Sequence, residues 1–331
     1  MSTILMVSAP LTKSLSRSDS TSVTCLNVRR TRLFPGSPGF FGRPSERPVE
    51  PPLGRTTRES GALAWATVPR HRVLVSAHRC GYAELGTVGG HEDPLAGIVH
   101  SAAVGADYAE FDVRRCTDGT FVISHDPDGG TGDDSIVVAD LTWPELHDRA
   151  PGVCTLEALL EALAATGLGA HVDLKFATSA KAARAGESWE RDLVNQLATR
   201  LDPSRVVFTS GRRGVTTALR AWVTEHHSPV VVALSIGGSV RGMTWRNAVR
   251  RRYSELFPVH RLKASEADAV AAHFALALIR LSRWTTRVGV PLLVWTVDEP
   301  WLQKRFLHDR RIWMITTNHP ARAIALRDGA R

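Results

Sequence analysis

Charged side chains recur two residues apart in segments of the sequence that predict β-strands. Glu110 and Asp112 lie in one such segment, and Asp173 and Lys175 end another. Because side chains alternate between the two faces of a strand, each pair points to a single side of its sheet. Carboxylates that share a face repel each other unless a cation or basic groups compensate them. Ligands that are all oxygen suit Mg²⁺ or Ca²⁺, so the three carboxylates predict a divalent metal site.

Two histidines follow predicted strands in the same part of the chain. His78 and Arg79 come directly after the apolar segment 72–77, and His125 ends a short segment further on. Histidine exchanges protons near neutral pH, so one ring can act as a base and the other as an acid. Arg79 and Lys175 suit a phosphate group. With the metal site, these residues predict metal-assisted cleavage of a phosphodiester.

These groups can act together only if the fold brings the ends of several strands to one rim. After Val68, short β-rich segments alternate with longer segments of helical periodicity. The predicted strands are 72–77, 108–113, 169–175, 205–210, 229–235, 255–260, 291–297 and 312–317. The predicted helices lie near 92–104, 155–167, 187–201, 213–226, 239–252, 265–288, 299–308 and 320–328.

Eight strands in alternation with eight helices predict an α/β fold with a parallel sheet and crossover helices. Two architectures satisfy that order, a closed (β/α)8 TIM barrel and an open doubly wound sheet. The segment 71–331 has the size of a barrel domain of about 250 residues, and polar residues end many of its strands. We therefore expect 71–331 to form a single TIM barrel.

Residues 1–70 form a predicted leader outside the barrel. They contain eight of the 18 prolines and ten Lys or Arg residues against four acids, with no sustained apolar period. This composition predicts disorder, and it also allows an organelle transit peptide or a translation start assigned too far upstream. The leader carries +6 of the formal charge of +8. The barrel is therefore close to neutral, which argues against nucleic acid as a partner.

The remaining sequence features bear on compartment and partners. No segment reaches the roughly 18–20 apolar residues of a membrane span, and no secretory signal is recognised. The four cysteines are scattered without a CxxC pair, which predicts free thiols and a cytoplasmic location. Arg241, Arg246 and 250–252 form an arginine cluster that could contact an anionic membrane surface. Nothing in the sequence indicates an oligomeric state.

An ordered series of motifs resembles the glycerophosphodiester phosphodiesterase family. The first motifs are HRCG at 78–81, EDPLAGI at 92–98, GADYAEFDVRRCTDGTFVISHDP at 105–127 and ADLTWPEL at 139–146. The later motifs are TLEALLEAL at 155–163, DLK at 173–175, WTVD at 295–298 and TNHP at 317–320. The resemblance runs from about residue 72 to residue 325 and is most specific over 105–127.

The resemblance implies a metal-dependent TIM barrel that cleaves a small-molecule glycerophosphodiester into glycerol 3-phosphate and an alcohol. It implies Mg²⁺ or Ca²⁺ as the cofactor. The implied roles are acid and base for His78 and His125, metal binding for Glu110, Asp112, Asp173 and Glu92, phosphate binding for Arg79 and Lys175, and a pocket wall for Trp295.

The sequence departs from the family pattern at several of these positions. Cys80 replaces a glycine, Asp173 replaces a glutamate, and Asn318 replaces an aspartate. If the backbone at Cys80 needs a left-handed turn, the loop must differ there. The Asp-x-Lys form at 173–175 also resembles sphingomyelinase D enzymes, so activity of the phospholipase D type on lysophospholipids is one alternative. A barrel that binds phosphate without turnover is another.

Overall fold

The strands of the computed structural model form a sheet that closes on itself. The model describes residues 72–86, 92–133, 135–240 and 242–329, and the predicted leader lies outside these ranges. The strands are β1 (Leu74–Ala77), β2 (Tyr108–Arg115), β3 (Phe121–Ile123), β4 (Cys154–Thr155), β5 (Gly169–Leu174), β6 (Val206–Ser210), β7 (Val231–Ile236), β8 (Ala269–His273), β9 (Leu292–Trp295) and β10 (Met314–Thr317).

Eight of these strands form a parallel barrel in the order β1-β10-β9-β8-β7-β6-β5-β2, and β1 pairs with β2 to close it. The strands β3 and β4 extend from β2 as an antiparallel appendage. This architecture confirms the predicted TIM barrel and excludes the open doubly wound sheet.

The helices follow the strands and cover the outside of the barrel. They are α1 (Pro94–Ala103), α2 (Trp143–Arg149), α3 (Leu156–Thr166), α4 (Ala180–Arg184), α5 (Trp189–Arg200), α6 (Arg213–Glu225), α7 (Trp245–Leu256), α8 (Val259–Ser265), α9 (Phe274–Val288, with a π-helical turn at Ala277–Leu281), α10 (Pro300–Leu307) and α11 (Pro320–Asp328). Along the described part of the chain, no helix combines the length and apolar character needed to cross a bilayer.

Local sequence explains these boundaries, as α3 illustrates. The side chain of Thr155 accepts a hydrogen bond from the amide of Ala158, and Gly167 ends the helix with a φ of 70°. Ser, Thr, Asp and Asn oxygens satisfy the free amides of a first turn, and glycine adopts the left-handed exit at low cost. The four leucines of α3 are buried against the barrel.

The inside of the barrel changes character along its axis. Apolar side chains from most of the strands fill its amino end, namely Tyr108, Val207, Val231, Ala233, Ala269, Ala271, Leu293 and Met314. Because inward-pointing residues alternate along a strand, the next inward positions lie nearer the carboxyl end. Several of these are polar, such as Asp112, Ser235 and Thr316, and they line a cavity. The core therefore supports the amino end, and the carboxyl end is free for chemistry.

The predicted strand 255–260 is wrong. Its first two residues end α7, and Val259–Ser265 forms α8, while the actual strand β8 lies within the predicted helix 265–288. The sequence of β8 is AVAAH, in which alanine favours a helix locally. Ala269 and Ala271 are fully buried inside the barrel, where a small residue fits between neighbouring strands. Tertiary packing therefore overrides the local preference of this segment.

We predict that Gly97→Ala destabilises the fold where α1 supports the loop after β1. A Cβ at this position would lie 2.9 Å from the carbonyl oxygen of Cys80 and 3.0 Å from the amide of Tyr82. Since both are backbone atoms, the loop must move, and we expect unfolding free energy to fall by about 1–3 kcal/mol. Urea denaturation measures this change.

Gly214→Ala is the matched control, because Gly214 is also helical and a Cβ there meets nothing within 4 Å. Alanine favours helices over glycine by up to about 1 kcal/mol, so this variant should be neutral or slightly stabilised. Equal stability of the two variants would show that the loop does not depend on close contact with α1.

Candidate active site

Two neighbouring strands supply most of the charged groups at the carboxyl end of the barrel. Alternate residues of each strand share a face, and β2 and β5 run parallel in register. Glu110 is the register partner of His171, and Asp112 is the register partner of Asp173. The inward-facing residues that line the cavity are Glu110, Asp112 and Arg114 from β2, and His171, Asp173 and Lys175 from β5 and its end.

Lys175 lies between the two aspartates. Its Nζ is 2.9 Å from Oδ1 of Asp112 and 2.6 Å from Oδ2 of Asp173. Burial opposes the charge on Asp112, but Lys175 together with His125 and His78 more than offsets this effect, so the pKa of Asp112 lies below its usual value. Burial similarly opposes the charge of Lys175, and the two carboxylates raise its pKa overall. Lys175 therefore forms a compensated cluster with the two carboxylates.

Glu110 is the carboxylate that this cluster does not compensate. It is buried, and the backbone amide of Arg79 donates to its Oε2 at 2.8 Å. The Nε2 of His78 lies 3.8 Å from the same oxygen. Burial, and then the charge of Asp112, raise the pKa of Glu110 well above its usual value. Additional positive charge near Glu110 would therefore be bound favourably.

The loop after β1 adopts a left-handed backbone conformation that points the backbone amide of Arg79 at Glu110. Arg79, Cys80 and Gly81 have φ values of 47°, 59° and 84°. The sequence predicted a changed loop at Cys80, and Cys80 instead takes a left-handed conformation itself, next to a left-handed Gly81. Non-glycine residues pay of order 1 kcal/mol or more for this conformation. The hydroxyl of Ser101 on α1 donates to the carbonyl of Cys80 at 2.7 Å and helps to hold the turn.

His78 is fixed by a relay of hydrogen bonds from the last strands. The amide Nδ2 of Asn318 lies 2.8 Å from Oδ2 of Asp298, and Asn318 Oδ1 lies 2.8 Å from Nδ1 of His78. An ionised Asp298 can only accept, so the amide group of Asn318 donates to it. The Asn318 oxygen then accepts from His78, which places the proton of the neutral ring on Nδ1. Burial lowers the pKa of His78, so a neutral ring with a free Nε2 is favoured.

His125 has a different partner. Its Nδ1 lies 2.8 Å from Oδ1 of Asp126, and this contact is an ion pair when the ring is protonated. The guanidinium of Arg114 donates to the backbone carbonyl of His125 at 2.7 Å, which ties the residue to β2. His125 and His78 line the same cavity. The two rings are therefore held by an acidic and an amide partner, respectively.

Arg79 and Glu92 do not share the larger cavity with the other predicted site residues. The Nη1 of Arg79 lies 3.0 Å from Oε1 of Glu92, and Tyr82 donates a short hydrogen bond to the same oxygen. These three residues line a smaller adjoining cavity. Asp112 and His125 line both cavities, so the two spaces meet at these residues. Glu92 thus lies nearer to the arginine than to the carboxylates of β2 and β5.

The larger cavity has a volume of about 1290 Å³ and extends well beyond the charged strands. Trp295 lines this cavity, and its ring stands edge-on to the ring of His273, with the two centroids 5.5 Å apart. Its predicted role as a substrate-pocket wall stays a prediction. Arg114 and His171 also line the cavity and were not predicted from the sequence. The same two-residue alternation that identified Glu110 and Asp112 would have found both of them.

A model of the glycerophosphoryl diester phosphodiesterase family matches residues 78–322. This span begins at the first histidine of the cavity and includes every charged residue of β2 and β5. The chain belongs to this family. It is therefore a phosphoric diester hydrolase. Comparison with curated proteins gives no match.

Solved phosphodiesterase structures share the barrel. A glycerophosphodiester phosphodiesterase from Parabacteroides distasonis is 20% identical with a TM-score of 0.59, over 80% of this chain and 100% of that one. The Thermotoga maritima enzyme is 20% identical with a TM-score of 0.53, over 78% and 99% of the two chains. An Oleispira antarctica phosphodiesterase in complex with the product sn-glycerol-3-phosphate is 17% identical with a TM-score of 0.57, over 80% and 99%. These likenesses establish the common fold.

The carboxylates of this phosphodiesterase fit a hard divalent cation by their chemistry. Glu110, Asp112 and Asp173 offer only oxygen donors, which Mg²⁺ and Ca²⁺ prefer. The raised pKa of the buried Glu110 reflects a charge that a cation would relieve. Within the described ranges, no three His, Cys, Asp or Glu side chains converge as a complete metal-binding group, and Lys175 stands between the two aspartates.

The arginine cluster predicted from the sequence of the phosphodiesterase divides into separate parts. Arg250 and Arg251 line the larger cavity. Arg251 and Arg252 bind the buried carboxylate of Glu255, at 3.1 Å and 2.7 Å. Arg241 lies outside the described residues. Much of this cluster therefore serves the cavity and the packing of α7, which limits what it can offer a membrane surface.

We predict that His171 makes the stability of the phosphodiesterase depend on pH below 6.5. Burial lowers the pKa of His171 to about 3, and Ser76 Oγ lies 3.1 Å from its Nδ1. The unfolded ring binds a proton at a higher pH than the folded ring, so stability falls as pH drops from 6.5 towards 3. Between pH 7 and pH 5 we expect a loss of about 2 kcal/mol from this one group.

The test compares urea denaturation at pH 7 and pH 5 for the wild type and for His171→Asn, which removes the titrating ring. The difference between the two pH values should shrink by about 2 kcal/mol in the variant. His147→Asn, at an exposed position on α2, is the control. An equal pH dependence in the wild type and His171→Asn would contradict a buried neutral ring.

Proposed function

We propose that the protein hydrolyses glycerophosphodiesters to glycerol 3-phosphate and an alcohol by histidine acid–base catalysis with a divalent cation. The observation that carries this proposal is the convergence of His78 and His125 on one cavity with the charged groups of β2 and β5. Family membership supports the reaction class. The product bound to the Oleispira antarctica relative supports the glycerol 3-phosphate half of the substrate.

His78 is the better general base. A base must be neutral at the working pH and must present a free lone pair to the proton that it removes. Burial favours the neutral ring, and Asn318 Oδ1 accepts a hydrogen bond from the Nδ1–H of His78, so Nε2 is left to accept. In this mechanism His78 removes a proton from the attacking hydroxyl. That hydroxyl comes from water or from the glycerol itself, which would give a cyclic phosphate.

His125 is the better general acid. Its Nδ1 pairs with the carboxylate of Asp126, and a protonated ring can then deliver a proton from Nε2 to the leaving alcohol. The new P–O bond forms as the P–O bond to the alcohol breaks, and the proton from His125 neutralises the departing oxygen. The two rings thus exchange protonation states during one turnover.

Cations in the cavity stabilise the negative charge on the phosphate oxygens. Lys175, and Arg79 from the adjoining space, are the residues that we assign to this role. Glu110, Asp112 and Asp173 would hold a divalent cation, which when bound supplies further positive charge to the phosphate. Trp295 would contact the substrate as an apolar wall. The described cysteines are free thiols, which supports the proposed cytoplasmic location.

We predict that His78→Gln and His125→Gln each lower kcat on sn-glycero-3-phosphocholine by about 10²–10⁴, the usual contribution of a general acid or base. Release of glycerol 3-phosphate is measured with Mg²⁺, Ca²⁺ or EDTA present. EDTA should abolish activity, and one of the two metals should restore it.

His308→Gln, at an exposed position at the end of α10, is the control and should behave as the wild type. If His78→Gln matched the wild type, the acid–base assignment would be wrong. Binding of diesters without any turnover would instead favour the inactive barrel, and full activity in EDTA would exclude a required metal.

A second candidate function is phospholipase D activity on lysophospholipids at a membrane surface. The observation that favours it is a row of exposed apolar side chains on α7, where Trp245, Val249 and Tyr253 are 72%, 59% and 66% exposed. These residues are four apart and share one face of the helix. On α9, Ile279 is exposed, and the guanidinium of Arg280 lies 4.4 Å from the ring centroid of Phe257, the residue that follows α7. Aromatic and cationic side chains suit the surface of an anionic bilayer.

We predict that the wild type co-sediments with vesicles that contain anionic lipid and that Trp245→Ser with Tyr253→Ser reduces the bound fraction by about 10-fold or more, because apolar burial drives insertion. Hydrolysis of soluble sn-glycero-3-phosphocholine by this variant should be unchanged, since neither residue lines the cavity. Absence of vesicle binding at low salt would rule out the lipid-surface function. If the free protein instead forms dimers, the exposed residues of α7 would be the contact between two copies of the chain.

A further inference from the structure

The larger cavity has an acidic side and a basic side. Every carboxylate that lines it belongs to β2 or β5. The guanidinium groups come largely from the other side, where β6, β7 and the helices after β7 end the barrel. These basic lining residues are Arg114, Arg212, Arg250, Arg251 and Arg261. We call this set the arginine wall.

Two residues of the arginine wall have a carboxylate partner outside the cavity. Arg251 Nε lies 3.1 Å from Oε1 of Glu255, and Arg261 Nη1 lies 3.8 Å from the same oxygen. Glu255 is fully buried and also binds Arg252. One negative charge is therefore shared among three guanidinium groups, and it cannot neutralise them all.

The other residues of the wall have less compensation. The side chains of Arg212 and Arg250 make no ion pair or hydrogen bond with any residue that the structure describes. The buried Nε of Arg114 also has no partner among the described residues. Burial lowers the pKa of Arg114, and the opposing charges of Asp112 and Asp126 do not fully offset this effect. These groups present unsatisfied donors and positive charge to the cavity.

The helix α7 turns its polar face towards this space. Arg250 and Arg251 are adjacent, Asn247 precedes them and Ser254 follows them at spacings of three or four residues, and all four line the cavity. Trp245, Val249 and Tyr253 occupy the opposite, exposed face. The segment 237–263 contains a single acidic residue, the buried Glu255. The arginines are thus held at the cavity by the amphipathic pattern of the helix, and none of the described acidic residues of this segment lines the cavity with them.

Like charges gathered in a concave space repel one another, and an anion that binds there relieves the repulsion. Guanidinium groups bind phosphate and carboxylate through paired N–H donors, and asparagine and serine add neutral donors. The scissile phosphate is already served by the histidines and by Lys175 on the acidic side. The arginine wall therefore faces a different part of the substrate.

We propose that the arginine wall binds a second anionic group, a phosphate monoester carried by the alcohol part of the glycerophosphodiester. This inference rests on the proposed function, because it identifies the substrate class of that reaction. The preferred substrate is then a diester with a phosphorylated alcohol, and diesters with a cationic or uncharged alcohol are poorer substrates.

The test compares two substrates that differ by one phosphate, glycerophosphoglycerol and glycerophosphoglycerol phosphate, whose terminal hydroxyl is phosphorylated. We expect the wild type to favour the second by at least ~10-fold in kcat/KM, the scale of one charge-assisted contact. Arg250→Ala and Arg212→Ala should each lower this ratio by about 3–10-fold and leave kcat/KM on glycerophosphoglycerol nearly unchanged. Arg250→Lys should retain part of the preference, since the charge remains.

Arg246→Ala is the matched control. It removes the same charge from the same helix, but Arg246 lies over the ring of Trp245 and does not line the cavity. Its ratio should equal that of the wild type. Raising the salt concentration should lower the wild-type ratio, because screening weakens the second contact.

Three results would overturn the inference. The first is a wild-type ratio of one or less. The second is an equal loss on both substrates in Arg250→Ala, which would place Arg250 at the scissile phosphate. The third is an equal loss of the substrate ratio in Arg246→Ala and Arg250→Ala, which would indicate that the preference comes from the overall positive charge of the helix and not from a contact in the cavity. Hydrolysis of glycerophosphoglycerol without preference removes this inference alone, whereas failure to hydrolyse any diester removes the proposed function as well.

Discussion

The burial of three carboxylates at the ends of β2 and β5 is the constraint on which the site depends. Strand alternation and the parallel register force Glu110, Asp112 and Asp173 onto one inner surface. Removing such charges from water costs several kcal/mol each unless they are compensated. Lys175 compensates the two aspartates. Because it lies two residues after Asp173, at the end of β5, its side chain is on the same face as that of Asp173. Glu110 keeps a raised pKa, so the acidic side of the cavity still attracts a cation.

The surroundings of Glu110 depend on a backbone amide and on contacts between the first and last strands of the barrel. The amide of Arg79 points at Glu110 because the loop after β1 is left-handed, and α1 packs closely behind that loop at Gly97. His78 begins the same loop and is held by Asn318 at the end of β10. The register of β1 and β10, with Ala77 opposite Thr317, brings those two chain ends together. Catalytic geometry therefore requires a fully closed barrel, and local order at β2 and β5 is insufficient.

Sequence patterns predicted what depends on local periodicity and missed what depends on packing. The alternation that marks Glu110, Asp112, Asp173 and Lys175 is a property of the strands themselves, so it was visible without coordinates. The strand β8 was missed because alanine-rich segments favour a helix until a barrel interior demands small residues. The arginines of α7 appeared to form one surface cluster, since periodicity defines the faces of a helix but not which face meets the barrel. The role of Asn318 depends on contacts between residues 240 positions apart in the chain.

The acidic and basic sides of the cavity suit two different parts of a substrate. In the proposed mechanism the histidines and the carboxylates act at the phosphorus, where charge develops during the reaction. Apart from Arg114 on β2, the residues of the arginine wall belong to segments that supply none of those groups, so the proposed contacts of the wall act on a remote part of the substrate. Binding energy from a remote part can orient the reacting bond as well as hold the molecule. Because the side chains of α7 that line the cavity share one helix face, the proposal implies that substitutions there change which alcohol is accepted. The groups assigned to cleavage of the P–O bond would stay in place.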